Sequence, residues 1–143
     1  MAYLLIQKTL KKNNLFFAIR GKKNDGHKFV KEAFKKEEII CIFQPHRISR
    51  LRNLKKEFSL SFKKANRVIL CPVYAAGEKL KLGFNYLNFA KTIARNSRVN
   101  VFLIKNENQL ARYVKQNIYG EKIVIGMGAG SISSWIRNLP NSI

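Results

Sequence analysis

Basic side chains follow an apolar run in the stretch Gln-Pro-His-Arg-Ile-Ser-Arg at residues 44–50. His46, Arg47 and Arg50 could hold an anion, because two guanidinium groups and an imidazole offer several donors to a carboxylate or phosphate. Arg47 and Arg50 are three residues apart and would share a face if a helix begins this early. A helix start would add unpaired N–H groups and partial positive charge. A solvated basic helix start is the alternative interpretation.

Two other stretches also follow apolar runs. YAAGE at residues 74–78 combines small residues, which let backbone approach a ligand, with one of only 8 acids. Glu78 could neutralise a nearby cation, and Tyr74 is a second weak candidate. GMGAGS at residues 126–131 contains Ala129, the third weak candidate. Its G-x-G-x-G spacing does not match a dinucleotide fingerprint, so a backbone cradle or tight packing between strand and helix is the better interpretation.

Several familiar kinds of site are absent from the sequence. It contains no G-x-x-x-x-G-K-[ST] phosphate loop, no G-x-S-x-G elbow and no carboxylates paired for acid–base work. Cys41 and Cys71 each lie inside an apolar run, so we expect buried free thiols in a reducing compartment. His27 and His46 are the other soft ligands, and no C-x-x-C spacing occurs, so we expect no metal site.

The chain is strongly basic, with 28 Lys plus Arg against 8 Asp plus Glu and a formal net charge of +20. The basic residues are spread along the whole sequence. A solvated surface, a phosphate-bearing small ligand and nucleic acid therefore stand as alternatives, although no aromatic-plus-basic motif favours RNA. No apolar run reaches the roughly 18–20 residues that span a bilayer, and the first residues do not resemble a secretory signal. We expect a cytoplasmic protein.

The elements that must position these stretches alternate along the chain. Apolar β-branched runs predict strands at 15–19, 39–43, 67–73, 99–104 and 122–128. Three- and four-residue spacing of apolar residues predicts helices at 27–36, 49–65, 86–95, 107–118 and 132–139. This alternation predicts an α/β fold with a Rossmann-like, mostly parallel sheet and helices on both faces. Ligands bind at the carboxyl ends of parallel strands, where the three distinctive stretches would meet.

Three of the helices carry predictions about individual residues. Ser49 is the expected N-cap of the helix at 49–65, and Gly120 suits the end of the helix at 107–118. The apolar positions that we expect to face the core are Leu51, Leu54, Phe58, Phe62 and Ala65 in the first helix, Leu87, Ala90, Ile93 and Ala94 in the second, and Leu110, Val114 and Ile118 in the third.

Three sequence blocks resemble the C-terminal domain of the UDP-N-acetylmuramate–L-alanine ligases, which belong to the Mur ligase family of peptidoglycan synthesis. In order, they are IFQPHRISRLRNLKKEF, VILCPVYAAGEKLKLG and VIGMGAGSIS, within residues 39–140. The resemblance implies a domain that closes over an ATP-binding central domain and helps to hold the amino acid. It also implies that His46, Arg47 and Arg50 contact the carboxylate of L-alanine.

The resemblance does not extend to everything that the complete ligases contain. The 143 residues carry neither a central domain, with its phosphate loop and magnesium ligands, nor the Asp-Tyr-x-His-His-Pro block that opens the C-terminal domain. Residues 15–36 instead resemble part of the first domain of a different Mur ligase. We therefore divide the chain into a segment at 1–38 and a domain at 39–143. The full-length family uses ATP and Mg²⁺, and we expect this chain to bind neither alone and to be an inactive fragment.

The resemblance also implies partners, namely L-alanine or a UDP-muramyl substrate and a chain that carries the central domain. Two other functions stay open. One is a stand-alone module that kept the anion site for a nucleotide, an amino acid or another Mur ligase, and the other is a polyanion binder such as an RNA-associated protein. Affinity for RNA that falls steeply with salt would favour the polyanion binder, whereas a flat response would discard it.

Overall fold

The computed structural model describes residues 15–17, 38–78, 84–119 and 122–141. The strands of this part of the chain are β1 Leu15–Phe17, β2 Glu38–Phe43, β3 Arg67–Leu70, β4 Asn100–Leu103 and β5 Lys122–Met127. They form one sheet in the order β1-β5-β2-β3-β4, and every described pairing is parallel. The predicted α/β class with a mostly parallel sheet is confirmed.

Helices follow the strands in alternation. Their bounds are α1 Ile48–Asn53, α2 Lys55–Leu60, α3 Tyr86–Ser97, α4 Glu107–Asn117 and α5 Ile132–Asn138, with a 3-10 turn at Leu139–Asn141. The α1–α2 pair joins β2 to β3, α3 joins β3 to β4, and α4 joins β4 to β5. Each connection thus returns the chain to the end of the sheet at which the strands begin, as parallel pairing requires.

Alternate strand residues pack on opposite faces of the sheet. On one face, Cys41 belongs to a buried cluster with Phe62, which lies in the turn after α2, and Phe89 of α3. On the other face, Ile42 belongs to a cluster with Leu110 and other residues of α4 and α5. Both faces of the central strands are therefore covered, which explains their nearly continuous apolar sequence and confirms the prediction of helices on both faces.

The strand order creates a switch point between β2 and β5, which are neighbours in the sheet. After β2 the chain turns to the face where Leu51 of α1 is buried. After β5 it turns to the opposite face, where Ile132 of α5 is buried. In open α/β sheets, the crevice at the carboxyl ends of two such diverging strands is the usual ligand position. The topology thus points to one place in the molecule for a site.

The helix predicted for residues 49–65 is two short helices. The break is at Leu54, whose backbone has φ −112° and ψ 27° and whose side chain is 37% exposed, so its predicted burial is wrong. The second half is drawn against α3 by polar contacts that apolar periodicity does not reveal. Buried Ser59 accepts a hydrogen bond from Asn96 through its hydroxyl and another from the Ser97 hydroxyl through its carbonyl. Leu51 and Phe62 of the predicted stripe are buried, and Phe58 and Ala65 are partly buried against the same cluster.

The predicted N-cap is also wrong. Arg47 precedes the first turn of α1, with φ 63° and ψ 134°, and no side chain caps the helix from that position. Ser49 lies inside the first turn and donates hydrogen bonds to Glu78 instead of accepting one. The start of α1 is therefore capped from a different loop, which the local sequence could not indicate.

The buried face of α3 is rotated from the prediction. Leu87 is 55% exposed, whereas Phe89 is fully buried beside Ala90 and Ile93. The ring of Phe89 packs against Phe84, with centroids 5.8 Å apart, and this contact lies on the core side. The larger aromatic side chain thus takes the interior position, and the prediction for Leu87 is wrong.

Other predictions of burial are confirmed. Leu110, Val114 and Ile118 of the α4 region are buried. Cys41 and Cys71 are free and buried, and burial raises the pKa of each thiol to about 12. Each thiol is therefore protonated and inert at neutral pH while the fold is closed.

β1 forms the edge of the sheet and pairs with the first half of β5, from Leu15 beside Lys122 to Phe17 beside Val124. The predicted helix at 27–36 and the predicted stop at Gly120 lie outside the described residues. Within the described residues, no helix is long and apolar enough to cross a membrane.

Candidate functional site

A cavity of about 170 Å³ lies at the switch point, outside the carboxyl ends of β2 and β5. We call it the inner cavity. Its lining residues are Phe43, Gln44, His46, Arg50, Phe58, Met127, Gly128 and Ala129. Two basic side chains thus meet mainly apolar walls, a combination typical of sites for small molecules with one charged end.

A second and more open depression, the outer groove, lies beside the inner cavity and has a volume of about 530 Å³. Its lining residues are His46, Arg47, Ser49, Arg50, Asn53 and Leu54. His46 and Arg50 line both depressions, whereas Arg47 lines the outer groove alone. The structure therefore brings the three predicted basic residues together, with His46 and Arg50 at the centre.

The position of His46 is fixed by the loop after β3. His46 and Tyr74 form an isolated parallel bridge beyond the ends of β2 and β3. The Tyr74 N–H donates to the Pro45 carbonyl at 2.8 Å, and the Arg47 N–H donates to the Tyr74 carbonyl at 2.9 Å. The rings of His46 and Tyr74 are stacked, with centroids 5.7 Å apart and planes at 17°. Tyr74 thus packs against the His46 ring and fixes its position, although Tyr74 itself lines neither depression.

Gln44 ties the glycine-containing loop after β5 to the end of β2. Its side chain is buried, and its Nε2 donates to Ser131 Oγ at 3.0 Å. Its Oε1 accepts the N–H of Ile132 at 2.9 Å, and its own N–H donates to the Met127 carbonyl at 2.8 Å. Gln44 was not among the predicted site residues, although a polar side chain directly after five apolar residues was a usable signal.

Gly126 near the end of β5 and the glycines of the loop after it allow close packing of the protein against itself. A Cβ on Gly128 would lie 2.8 Å from the carbonyl oxygen of Gln44, and one on Gly130 would lie 2.3 Å from Cγ of Tyr74. A Cβ on Gly126 would lie 1.8 Å from Cδ1 of Ile136. The space beside the glycines is thus filled by the chain's own atoms, which agrees with the packing interpretation. Ala129, between them, is exposed and lines the inner cavity.

Glu78 occupies the start of α1. The Ser49 hydroxyl donates to Oε1 of Glu78 at 2.5 Å, and the Ser49 N–H donates to Oε2 at 3.1 Å. These hydrogen bonds, with a smaller contribution from the charge of Arg47, hold the pKa of the Glu78 carboxyl below its usual range. The expectation that the helix start offers this N–H to a ligand is therefore wrong. Glu78 lines neither depression.

The arrangement can bind an anion next to an apolar group. Guanidinium and imidazole donors suit a carboxylate or a phosphate, and the walls of the inner cavity suit a short aliphatic group. Within the residues that the structure describes, no three His, Cys, Asp or Glu side chains converge as a metal site. The lining of the two depressions suits a small organic anion better than a metal ion.

Comparison with known proteins shows which proteins this chain is similar to. The UDP-N-acetylmuramate–L-alanine ligase of Pelagibacter ubique is 65% identical over 114 residues, which are 80% of this chain and 25% of that ligase. The enzymes of the same name from Rhodospirillum rubrum and Bartonella bacilliformis are 34% and 36% identical over 106 residues, 74% of this chain and 22% of each relative. The chain is homologous to part of the UDP-N-acetylmuramate–L-alanine ligases.

The resemblance to these ligases is thereby confirmed, and it concerns one part of a larger protein. The chain spans about a quarter of the length of the curated ligases that it matches. No protein-family model matches the chain. The matched length agrees with a single α/β domain, as the sheet and its two helical layers form one unit.

Proposed function

We propose that this chain is the C-terminal, amino-acid-binding domain of a UDP-N-acetylmuramate–L-alanine ligase-like protein of peptidoglycan synthesis. The observation that supports this most is the convergence of His46, Arg47 and Arg50 at the switch point, beside a small cavity with apolar walls. In the proposal these side chains bind the carboxylate of L-alanine. The domain would close over the ATP-binding part of the ligase and hold the amino acid for attack.

We propose further that ATP and Mg²⁺ are bound elsewhere, by a central domain on another part of the ligase or on a partner chain in the cytoplasm. Two observations support this. The 143 residues contain no phosphate loop, and the glycine loop after β5 packs against Gln44 and Tyr74. The 143-residue chain alone would then form no product. The division between 1–38 and 39–143 belongs to the same proposal, with the first segment contributing β1 to the sheet.

A titration with L-alanine, followed by ¹H–¹⁵N correlation NMR of the full chain, tests the proposed binding site. We expect L-alanine to shift the signals of residues 44–50 and 127–130. L-alaninamide, which lacks the carboxylate, should bind at least about tenfold more weakly, because charge-assisted hydrogen bonds to the arginines are lost. Arg50→Ala should weaken L-alanine binding by a similar factor.

Arg52→Ala is the matched control. Arg52 is exposed on the same helix and lines neither depression, so its removal should change the affinity by less than about twofold. Shifts elsewhere in the sheet, or equal affinity for the amide and the acid, would contradict a carboxylate site at the switch point.

A further inference from the structure

Two loops of the site are tied together although 27 residues separate Arg47 from Tyr74. The loop after β2 and the loop after β3 exchange two backbone hydrogen bonds, of 2.8 and 2.9 Å, through Pro45, Arg47 and Tyr74. Further along, Glu78 of the loop after β3 accepts two hydrogen bonds from Ser49 of α1, which form a second connection between these parts of the chain. Glu78 thus forms the far end of the connection, directly under the first turn of α1.

The backbone on both sides of this connection is in an uncommon conformation. Arg47 has φ 63° and Ala76 has φ 51°, and neither is a glycine; Gly77 follows with φ 85°. Non-glycine residues rarely adopt positive φ, and they keep it only where surrounding contacts enforce it. The hydrogen bonds between the two loops are the contacts that can hold Arg47 and Ala76 in this conformation. Arg47, which carries one of the three basic side chains, is itself one of the enforced residues.

The contact of Glu78 with Ser49 is specific in geometry. Each carboxylate oxygen receives a separate donor, with the hydroxyl at 2.5 Å and the N–H at 3.1 Å, both from Ser49. Arg50 is the next residue of the helix and lines both depressions. Because a helical turn moves as a unit, anchoring Ser49 also fixes the direction in which Arg50 leaves the helix.

We propose that Glu78 is a positioning residue of the anion site, which holds the first turn of α1 so that Arg47 and Arg50 face the same ligand as His46. The ligand in this statement rests on the proposed function. Glu78 contacts neither depression, so it acts through Ser49 and the backbone. Its negative charge near Arg47 opposes anion binding, and the ordering of the helix start offsets this effect.

A positioning role and a purely electrostatic role of Glu78 predict opposite effects of Glu78→Gln on anion binding. If Glu78 acted only through its charge, Glu78→Gln would strengthen anion binding, because a repulsive carboxylate would be removed. If Glu78 acts by position, Glu78→Gln should weaken binding of L-alanine by about three- to tenfold, since preorganisation is lost. Glu57→Gln changes the net charge equally, at an exposed position on α2, and should leave the affinity within about twofold.

The test combines the L-alanine titration with a measurement that needs no ligand. NMR relaxation of the Nε–Hε groups of Arg47 and Arg50 reports how rigidly the side chains are held. We expect larger-amplitude motion of both in Glu78→Gln and in Ser49→Ala, and no change in Glu57→Gln. The double variant of Ser49 and Glu78 should be no worse than the poorer single variant, because the two groups act as one contact.

The possible outcomes separate the two proposals. Tighter L-alanine binding by Glu78→Gln, or unchanged arginine motion, overturns the positioning role. If the wild-type chain binds no L-alanine but Glu78→Gln still loosens both arginines, the positioning role stands and the proposed function falls.

Two controls accompany these measurements. Thermal unfolding of each variant shows whether the fold is retained. Ser49→Thr, which keeps the hydroxyl, should restore the arginine order that Ser49→Ala loses.

Discussion

Tyr74 joins two parts of the site that are more than 50 residues apart in sequence. One side of its ring stacks on His46. The backbone of Gly130 also approaches the ring so closely that a Cβ would lie 2.3 Å from Cγ. His46 is thereby supported by a side chain whose own position depends on the loop after β5. A single ring thus couples the β2, β3 and β5 loops.

Gly130→Ala should therefore disturb the site as well as the fold. The added methyl group cannot be accommodated unless the Tyr74 ring moves, and this should reduce the free energy of unfolding by about 1–3 kcal/mol. The ring signals of Tyr74 and His46 should shift together in NMR spectra. Urea denaturation gives the stability, and the L-alanine titration gives the effect on binding.

Gly77→Ala is the matched comparison for this substitution. Gly77 has φ +85° but no atom within 4 Å of an added Cβ. Gly77→Ala should therefore reduce the free energy of unfolding by about 1 kcal/mol through backbone strain alone. It should leave the Tyr74 and His46 ring signals unshifted. Equal effects of the two substitutions on these rings would show that the Gly130 contact is not what holds Tyr74.

The sequence was sufficient to predict that three basic residues lie together at the candidate site, but not to assign their separate positions. His46, Arg47 and Arg50 follow a strand, and chain direction alone places them at its carboxyl end. The left-handed backbone of Arg47 has no signal in the sequence, because glycine or asparagine is the residue that normally marks such a position. The pairing of Ser49 with Glu78 depends on a contact across 29 residues, which no local pattern contains.

At the scale of elements, the amino ends of three strands are joined by one ionic cluster. Glu38 of β2 accepts from Nε of Arg67 of β3 at 2.6 Å and from Nζ of Lys122 of β5. Arg67 also donates through Nη1 to the Asn117 carbonyl at the end of α4, at 3.1 Å. The three charged side chains are 21–29% exposed, so water screens them only in part. The cluster fixes β2 between its two neighbours.

This cluster predicts a pH dependence of stability. The hydrogen bond from Lys122, followed by the charge of Arg67, lowers the pKa of Glu38 against the opposing effect of burial. The native state then binds fewer protons than the unfolded state, so the contribution to stability is complete above the ordinary carboxyl pKa of about 4.3. It is lost as the pH falls through the lowered pKa of the folded state.

Glu38→Gln should therefore reduce the free energy of unfolding by about 1–2 kcal/mol at pH 7, after allowance for screening. The difference from wild type should shrink towards zero near pH 2, where the wild-type carboxyl is also neutral. Urea denaturation at both pH values measures this. Glu57→Gln, at an exposed position, should change stability by no more than about 0.5 kcal/mol. A difference for Glu38→Gln that persists in acid would indicate lost packing rather than lost charge.

The elements themselves were largely predictable, because apolar runs of β2, β3 and β5 are bounded by polar residues and have the length of strands. The order of the strands within the sheet was not predictable. Sequence periodicity indicates which residues are buried but not which strands are neighbours, so the switch point between β2 and β5 needed the structure. The division at Leu54 and the exposure of Leu87 have related origins, namely polar contacts between α2 and α3 and the packing of Phe84 against Phe89.

At the scale of the whole molecule, the sheet separates two buried clusters that could in principle open independently. Cys41 lies in the cluster beneath α1, α2 and α3, and Cys71 lies in the cluster beneath α4 and α5. Each cluster thus contains one thiol that is inert while covered. The two cysteines are natural probes of whether the molecule unfolds as one unit.

We expect both thiols to react with a disulfide reagent only through unfolding. In native buffer, the rate should be at least about a hundredfold slower than in concentrated urea, since small domains are open only rarely. Cys41→Ala and Cys71→Ala each leave one probe, and the remaining thiol should be protected to a similar degree in both variants once their stabilities are compared. Fast labelling of one thiol alone would show that its face of the sheet opens separately.

The central place of β5 has a consequence for synthesis. β5 is the last described strand in chain order, yet it lies between β1 and β2. While the nascent chain leaves the ribosome, β2, β3 and β4 can assemble before β5 has emerged, and the free edge of β2 then presents the apolar segment EIICIF. Such an edge is prone to pair with other chains. The edge of β2 stays exposed until β5 emerges and pairs with it. Slow translation, or truncation before Lys122, should therefore favour aggregation over folding.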